Sequence, residues 1–207
     1  HLAAVHGLTI SFEQTLDVNY RALIGLMDGA QECGIKRVIF ASSNHGWGFY
    51  PRSDAPLTDL APPRPDGWYA ISKIWAEAVM AYYADTRAMA TTSLRIGNCG
   101  PDVPDERRLH MWISYRDLAR LIALCLARQT PGHAAFFACG DCPDPFFDTT
   151  AARALGFMPL DRPGDHVTHP DIATRGPEPG IAGRLIGGHF AQANLLVDPA
   201  TGGRDDA

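Results

Sequence analysis

Arg37-Val-Ile-Phe-Ala41, running straight into Ser42-Ser-Asn-His45, decides how the rest of the chain is read. Its apolar core between a basic start and a polar stop reads as a short buried strand. Upstream, Leu16, Tyr20, Leu23, Ile24 and Met27 recur at a helical period from about Phe12 to Cys33, and Gly34 is a natural helix stop. Downstream, Ser42 to Asp66 carries proline, glycine and aspartate, which predicts a loop of a length that usually signals function. Asp66 can cap a helix running to about Thr86, with Trp68, Ile71, Trp75, Val79 and Tyr82 on its apolar side.

The same alternation continues along the chain. Thr91 to Ile96 is dense in β-branched residues and reads as the next strand. Ser114-x-x-Asp117 has the form of a capping box ahead of the apolar helix Leu118 to Leu126. Ala134 to Ala138 reads as a further strand, and Asp148 to Leu155 as a short helix ended by Gly156. His1-Leu-Ala-Ala-Val5 resembles the tail of a strand, and the proline- and glycine-rich stretch after Gly156 is expected to be mostly loop. Strands alternating with helices imply a parallel sheet, hence an α/β doubly wound fold. In such a fold ligands bind beyond the carboxyl ends of the strands, where His6, Ser43 to His45 and Asn98 would all lie.

Composition narrows the function. The 207 residues are 46% hydrophobic with a net charge of −5, enough for one sizeable core and without a basic block for nucleic acid. No apolar run reaches the ~18 residues of a membrane span, and no signal peptide is visible. Five cysteines in an ordinary composition suggest reduced thiols and a cytoplasmic setting. Cys139-Gly-Asp-Cys142 has metal or redox spacing but no second pair to complete a zinc site, and Asp165-His-Val-Thr-His169 reads as well as a polar turn. No metal is expected.

Chemistry points to Tyr69-Ala-Ile-Ser-Lys73. A tyrosine and a lysine four apart share one helix face. A free tyrosine titrates near ~10 and needs a neighbouring ammonium to act as a base at neutral pH. The Ser43 hydroxyl, at a strand end, can hold a substrate oxygen against the phenol. Taken alone the pair is commonly an exposed surface pair; the serine doublet and the capped helix favour function.

At these residues the sequence resembles the extended short-chain dehydrogenase/reductase family, in His1-Leu-Ala-Ala4, Asn19-Tyr-Arg-Ala-Leu23, Val38-Ile-Phe-Ala-Ser-Ser43, Tyr69-x-x-x-Lys73 and Leu94-Arg-Ile96. Within it the sequence is most similar to the uronate dehydrogenases. The matching pieces include Ser42-Ser-Asn-His45, Arg64-Pro-Asp-Gly67, Arg107 five before Trp112, and Gly187-Gly-x-Phe190. The resemblance implies a Rossmann-like sheet and NAD as cofactor, with residues 1–156 as the cofactor and catalytic part and 157–207 as a loop-rich substrate-side segment. It implies Ser43, Tyr69 and Lys73 as the catalytic trio, with Asn19 ordering a proton-relaying water. Leu2, Ala3, Ala4, Tyr69, Lys73, Ile96 and Gly97 would contact the cofactor. His6, Ser43, Asn44, His45, Asn98, Arg107 and Phe190 would surround a small sugar acid, its carboxylate gripped by Arg107, with Arg108 as a substitute. The reaction implied is oxidation of the C1 hydroxyl of a uronate (galacturonate or glucuronate) to an aldarolactone. The helices after Phe12 and Asp66 are those this family uses to form a homo-oligomer.

His6 and Asn98 stand where uronate dehydrogenases carry small hydroxyl residues, and Phe146-Phe147 replaces a tryptophan pair. The chain also contains no Gly-x-Gly-x-x-Gly, which the family carries in a first half that would precede His1. The expectation is therefore a sheet that is N-terminally incomplete. Two further readings stay open: a nucleotide-sugar epimerase or dehydratase of the same superfamily, and a non-catalytic remnant without cofactor binding.

Overall fold

The computed structural model describes residues 1–195; the last part of the 157–207 segment lies outside the described residues. Three strands form a parallel sheet in the order β1 (Arg37–Ser43), β2 (Ala90–Ile96) and β5 (Gly132–Ala138). A short parallel pair, β3 (Asn98–Cys99) and β4 (Trp112–Ile113), follows β2 at its carboxyl end. Ser43 pairs with Ile96, and Ile96 with Ala138, so the three carboxyl ends are level. The fold is α/β, a parallel sheet with flanking helices, as the alternation predicts.

Alternation along the strands sorts the two faces. On one face Val38 and Phe40 meet Leu23 and Met27 of α2 (Ala22–Glu32) and Ala76 and Met80 of α3 (Trp68–Arg87). On the other, Leu94, Phe136 and Ala138 pack on Leu121 and Cys125 of α5 (Tyr115–Ala127). Shorter helices are α1 (Phe12–Thr15), α4 (Glu106–Leu109), α6 (Thr150–Ala154), α7 (Gly180–Arg184) and α8 (His189–Asn194).

Several local expectations change. The helix expected from Phe12 is interrupted: between α1 and α2 the turns at Leu16–Arg21 widen to a π-helix that contains Asn19. The strand tail at His1-Val5 shrinks to one pairing, His1 N to Ile39 O at 2.7 Å and Ala41 N to His1 O at 3.0 Å. Asp66 does not cap α3; Gly67 is the N-cap and makes no side-chain bond. Ser114 does cap α5 through Asp117 N, but Asp117 turns away to accept the amides of Leu160 and Asp161. The apolar stripe of α3 is largely turned outward, with Trp68 44% and Tyr82 55% exposed, while Ser72, Lys73 and Glu77 face the protein.

Among the described residues no helix is long and apolar enough to cross a membrane. Nor is any group of three or more His, Cys, Asp or Glu among them placed to hold a metal ion.

Candidate active site

The level carboxyl ends of β1 and β2 assemble the site. Ser43 ends β1 and is buried, its Oγ accepting the His45 amide at 3.2 Å at the head of a 3-10 turn, Asn44–Trp47. Asn44 clips the two strands together: its Nδ2 donates to Ile96 O at 3.0 Å and to Gly97 O at 2.7 Å. Its Oδ1 is buried and has no partner among the described residues.

Tyr69 and Lys73 enter from the first turns of α3. The Tyr69 phenol is raised above its ordinary pKa, chiefly by burial; a hydrogen bond with Ser43 pulls it back, and the charge of Asp66 pushes it further up. The expected lowering by Lys73 is therefore not the governing effect in this arrangement. The lysine itself is 3% exposed, and burial lowers it to about 8. Its Nζ donates to Ala41 O at 2.7 Å and stands 4.7 Å from the Phe40 ring centre and 5.5 Å from that of Tyr69. Half of the ammonium is thus poised to lose its proton only slightly above neutrality.

Behind Lys73 a narrow cleft is lined by Ala3, Ala4, Asn19, Phe40 and Ser72. Asn19 is buried, and its amide is fully engaged: Nδ2 donates to Val5 O and Ser72 Oγ, both at 2.9 Å, and Oδ1 accepts Val5 N at 2.8 Å. The π-helical turn turns Asn19 inward, away from the solvent a helix asparagine usually faces. Of the other residues expected to touch a cofactor, Leu2 is exposed and Ile96 and Gly97 sit at the end of β2.

A pocket of about 290 Å³ opens beside His45, whose ring is 6.3 Å from that of Tyr69; Ser43, Tyr69 and Lys73 themselves do not line it. Asn44, His45, Asn98, Arg107 and Phe190 all line it. His6 lies outside this wall, with its ring 6.0 Å from that of Tyr69. Phe190, on α8, packs its ring 4.3 Å from that of His45.

Arg107 lies on α4, which is capped by Asp105, whose side chain accepts Arg108 N. That cap separates the two arginines. Arg108 is paired with Asp105. Arg107 Nε donates to Ile186 O at 2.6 Å, while its Nη2 is buried with no partner among the described residues. Gly188 makes room for it: φ is +62° there, and a Cβ would come within 2.7 Å of Arg107 Cδ. Burial lowers Arg107 to about 10, opposed by the charge of Asp66, so it remains a cation at neutral pH.

Two residues were missed as members of the site. Asp66 receives His45 Nδ1 at 2.7 Å from beneath the pocket, a contact between positions that no local periodicity links. Glu77, one turn beyond Lys73 on α3, takes Ser42 Oγ at 2.5 Å and Arg95 Nη2 at 2.9 Å, bracing the strand that carries Ser43. Arg95 in turn lies over Trp47, 4.1 Å from its ring centre.

With this geometry in hand, the relatives are informative. Uronate dehydrogenase from Pseudomonas putida is 38% identical over 151 residues, 73% of this chain and 56% of that protein. Uronate dehydrogenase from Agrobacterium fabrum is 33% identical over 180 residues, covering 86% of this chain and 68% of the relative. A variant of the Agrobacterium tumefaciens uronate dehydrogenase complexed with NAD superposes with a TM-score of 0.82 at 30% identity, over 92% of this chain and 72% of that one. The chain spans a little over half the length of the Pseudomonas relatives. The family described as NAD dependent epimerase/dehydratase matches residues 1–121, well over half of the chain, and the chain belongs to that family.

Proposed function

We propose that this chain carries the catalytic and substrate-binding part of an NAD-dependent dehydrogenase. The substrate is a uronate (galacturonate or glucuronate), whose C1 hydroxyl is oxidised to give an aldarolactone. One observation carries the substrate class: the buried Nη2 of Arg107, without a hydrogen-bond partner among the described residues, on the wall of the pocket beside His45. An orphaned guanidinium N–H beside a sugar-sized space is matched by a carboxylate, which accepts two parallel bonds from one arginine. The relatives' names support the same class.

Leu2, Ala3, Ala4, Tyr69, Lys73, Ile96 and Gly97 would hold the nicotinamide end of the cofactor, with the lysine supplying a charge. When bound, NAD supplies the acceptor for the C1 hydride. The chain's own residues do the rest. Ser43 holds the C1 oxygen and its hydrogen bond offsets part of the burial that raises the phenol, Tyr69 takes the proton, and the Lys73 ammonium stands 5.5 Å from the phenol ring centre. Asn44 Oδ1 accepts from a sugar hydroxyl, and Asn98 and Phe190 complete the wall. Asn19, behind Lys73, completes the proton route through a bound water. Residues 1–156 supply the catalytic side and 157–207 the substrate side, which contributes Gly188 and Phe190 to the pocket. The exposed Trp68, Ile71 and Tyr82 on α3 support a homo-oligomer built on that helix.

Calorimetric titration with D-galacturonate and with D-galactose tests the reading. Galacturonate should bind and galactose should not, and Arg107→Met should weaken galacturonate by roughly 30-fold, the worth of about 2 kcal/mol for a charge-assisted pair. Equal binding of both sugars would remove the carboxylate reading.

A further inference from the structure

Asp66 is 1% exposed, and a carboxylate that far from water ordinarily needs several partners. It has one. Oδ2 meets His45 Nδ1 at 2.7 Å, and Oδ1 has no hydrogen-bond partner among the described residues. The fold nevertheless clears space for this group from two directions. A Cβ on Gly48 would lie 1.9 Å from Oδ2, and one on Gly187 would lie 2.2 Å from it. Helix capping does not account for the residue, because α3 starts at Gly67 without a side-chain bond. Pairing with Arg107 does not account for it either: the two attract, but Arg107 Nε is committed to Ile186 O and no hydrogen bond joins them.

What Asp66 does hold is a ring at the centre of the pocket. An ionised carboxylate can only accept, so His45 donates its Nδ1–H. In the neutral imidazole the lone pair is then on Nε2, at the opposite edge of the ring. That ring stands between Phe190 at 4.3 Å and Tyr69 at 6.3 Å.

We propose that Asp66 is a positioning residue: it keeps the imidazole proton of His45 on Nδ1, so that Nε2 presents a fixed lone pair to a hydroxyl of the bound sugar. The identity of that hydroxyl partner rests on the sugar-acid reading; the location of the proton does not.

Long-range ¹H–¹⁵N spectra of the labelled chain, with His45→Gln to assign the signals, test the first half directly. In the wild type His45 should show a protonated Nδ1 and an unprotonated Nε2. Asp66→Ala removes the acceptor at Nδ1, and the proton should move to Nε2, the position a free neutral imidazole favours. A wild-type ring protonated on Nε2, or an unchanged tautomer in Asp66→Ala, overturns the proposal. The wild-type spectrum alone decides this should the variant fold poorly. In the second half, Asp66→Ala should weaken D-galacturonate binding about ten-fold, because a hydroxyl then meets a donor instead of an acceptor. A switched tautomer with unchanged affinity overturns the hydroxyl contact. A wild type with the expected tautomer that binds no D-galacturonate upholds the positioning and defeats the sugar-acid reading.

Discussion

Helices α3 and α5 cover opposite faces of the same three strands, and they do so by different rules. Helix α5 is ordinary. Ser114 caps it, Leu121 and Cys125 turn inward one helical turn apart, and its partners on the sheet are Leu94 and Phe136. Helix α3 turns Ser72, Lys73 and Glu77 toward the protein and leaves Trp68 and Tyr82 outside. The sheet is matched to this: β2 presents Thr91, Ser93 and Arg95 on the α3 side, where Arg95 pairs with Glu77 and Thr91 bonds Met80 O. One interface is built for stability, the other to hold charge in place at the cost of some stability.

Substitutions on the two helices should therefore have opposite signatures. The largest effect is expected at Tyr69: on the proposed sugar-acid reading, Tyr69→Phe should lower turnover roughly a thousand-fold, the scale of a lost general base, with substrate affinity nearly unchanged. Turnover near that of the wild type would erase the distinction between the two helices. On the other face, Leu121→Ala should cost about 3 kcal/mol of stability through cavity formation in the α5 interface, read by urea denaturation, and should leave sugar binding intact.

Lys73→Met is expected to act in the reverse sense. Burial holds the lysine at about 8 in the folded protein against 10.5 ordinarily. Between those values the unfolded state binds the extra proton, so this group's contribution to stability rises with pH across that window and is least favourable below about 8. The variant should be more stable than the wild type at pH 7 by up to about 3 kcal/mol, and the gap should close by about pH 10. Cys125 and Cys142, which burial pushes up to about 11 and about 12, are common to both proteins; the His1 amino group, lowered by burial and by the Lys73 charge, is released from the second of these in the variant. A gap that does not change with pH would mean the lysine is not desolvated. The smallest effect is expected on the outward stripe. Tyr82→Ser should change stability by less than about 0.5 kcal/mol. Sedimentation of the two proteins would then report whether that stripe joins copies of the chain.

Much of this architecture was legible in the residues. The apolar run at Arg37, the β-branched run at Thr91 and the Ser114 cap each depend on short-range chemistry, and each produced the expected kind of element. So did the spacing of Tyr69 and Lys73, since four residues on a helix means one face. The periodicity of α3 misled because an apolar stripe marks what leaves water, and a stripe can be left outward when the opposite face is occupied by paired charges. Asp66 misled for a related reason: an aspartate before a helix is the standard signature of a cap, and only its approach to His45 gives it another partner.

From its order of residues alone, the chain determined its alternating α/β plan, its parallel sheet and the helix that carries a tyrosine and a lysine on one side, because these follow from local propensity and repeat period. The tertiary structure alone decided that Ser43 and Ile96 lie level, that Arg107 rather than Arg108 keeps a buried nitrogen without a partner among the described residues, and that Asp66 sits against His45 between two glycines. Those facts depend on the register of strands and on contacts between segments far apart in the chain, where the energy of burying one polar atom is set by what else happens to arrive beside it.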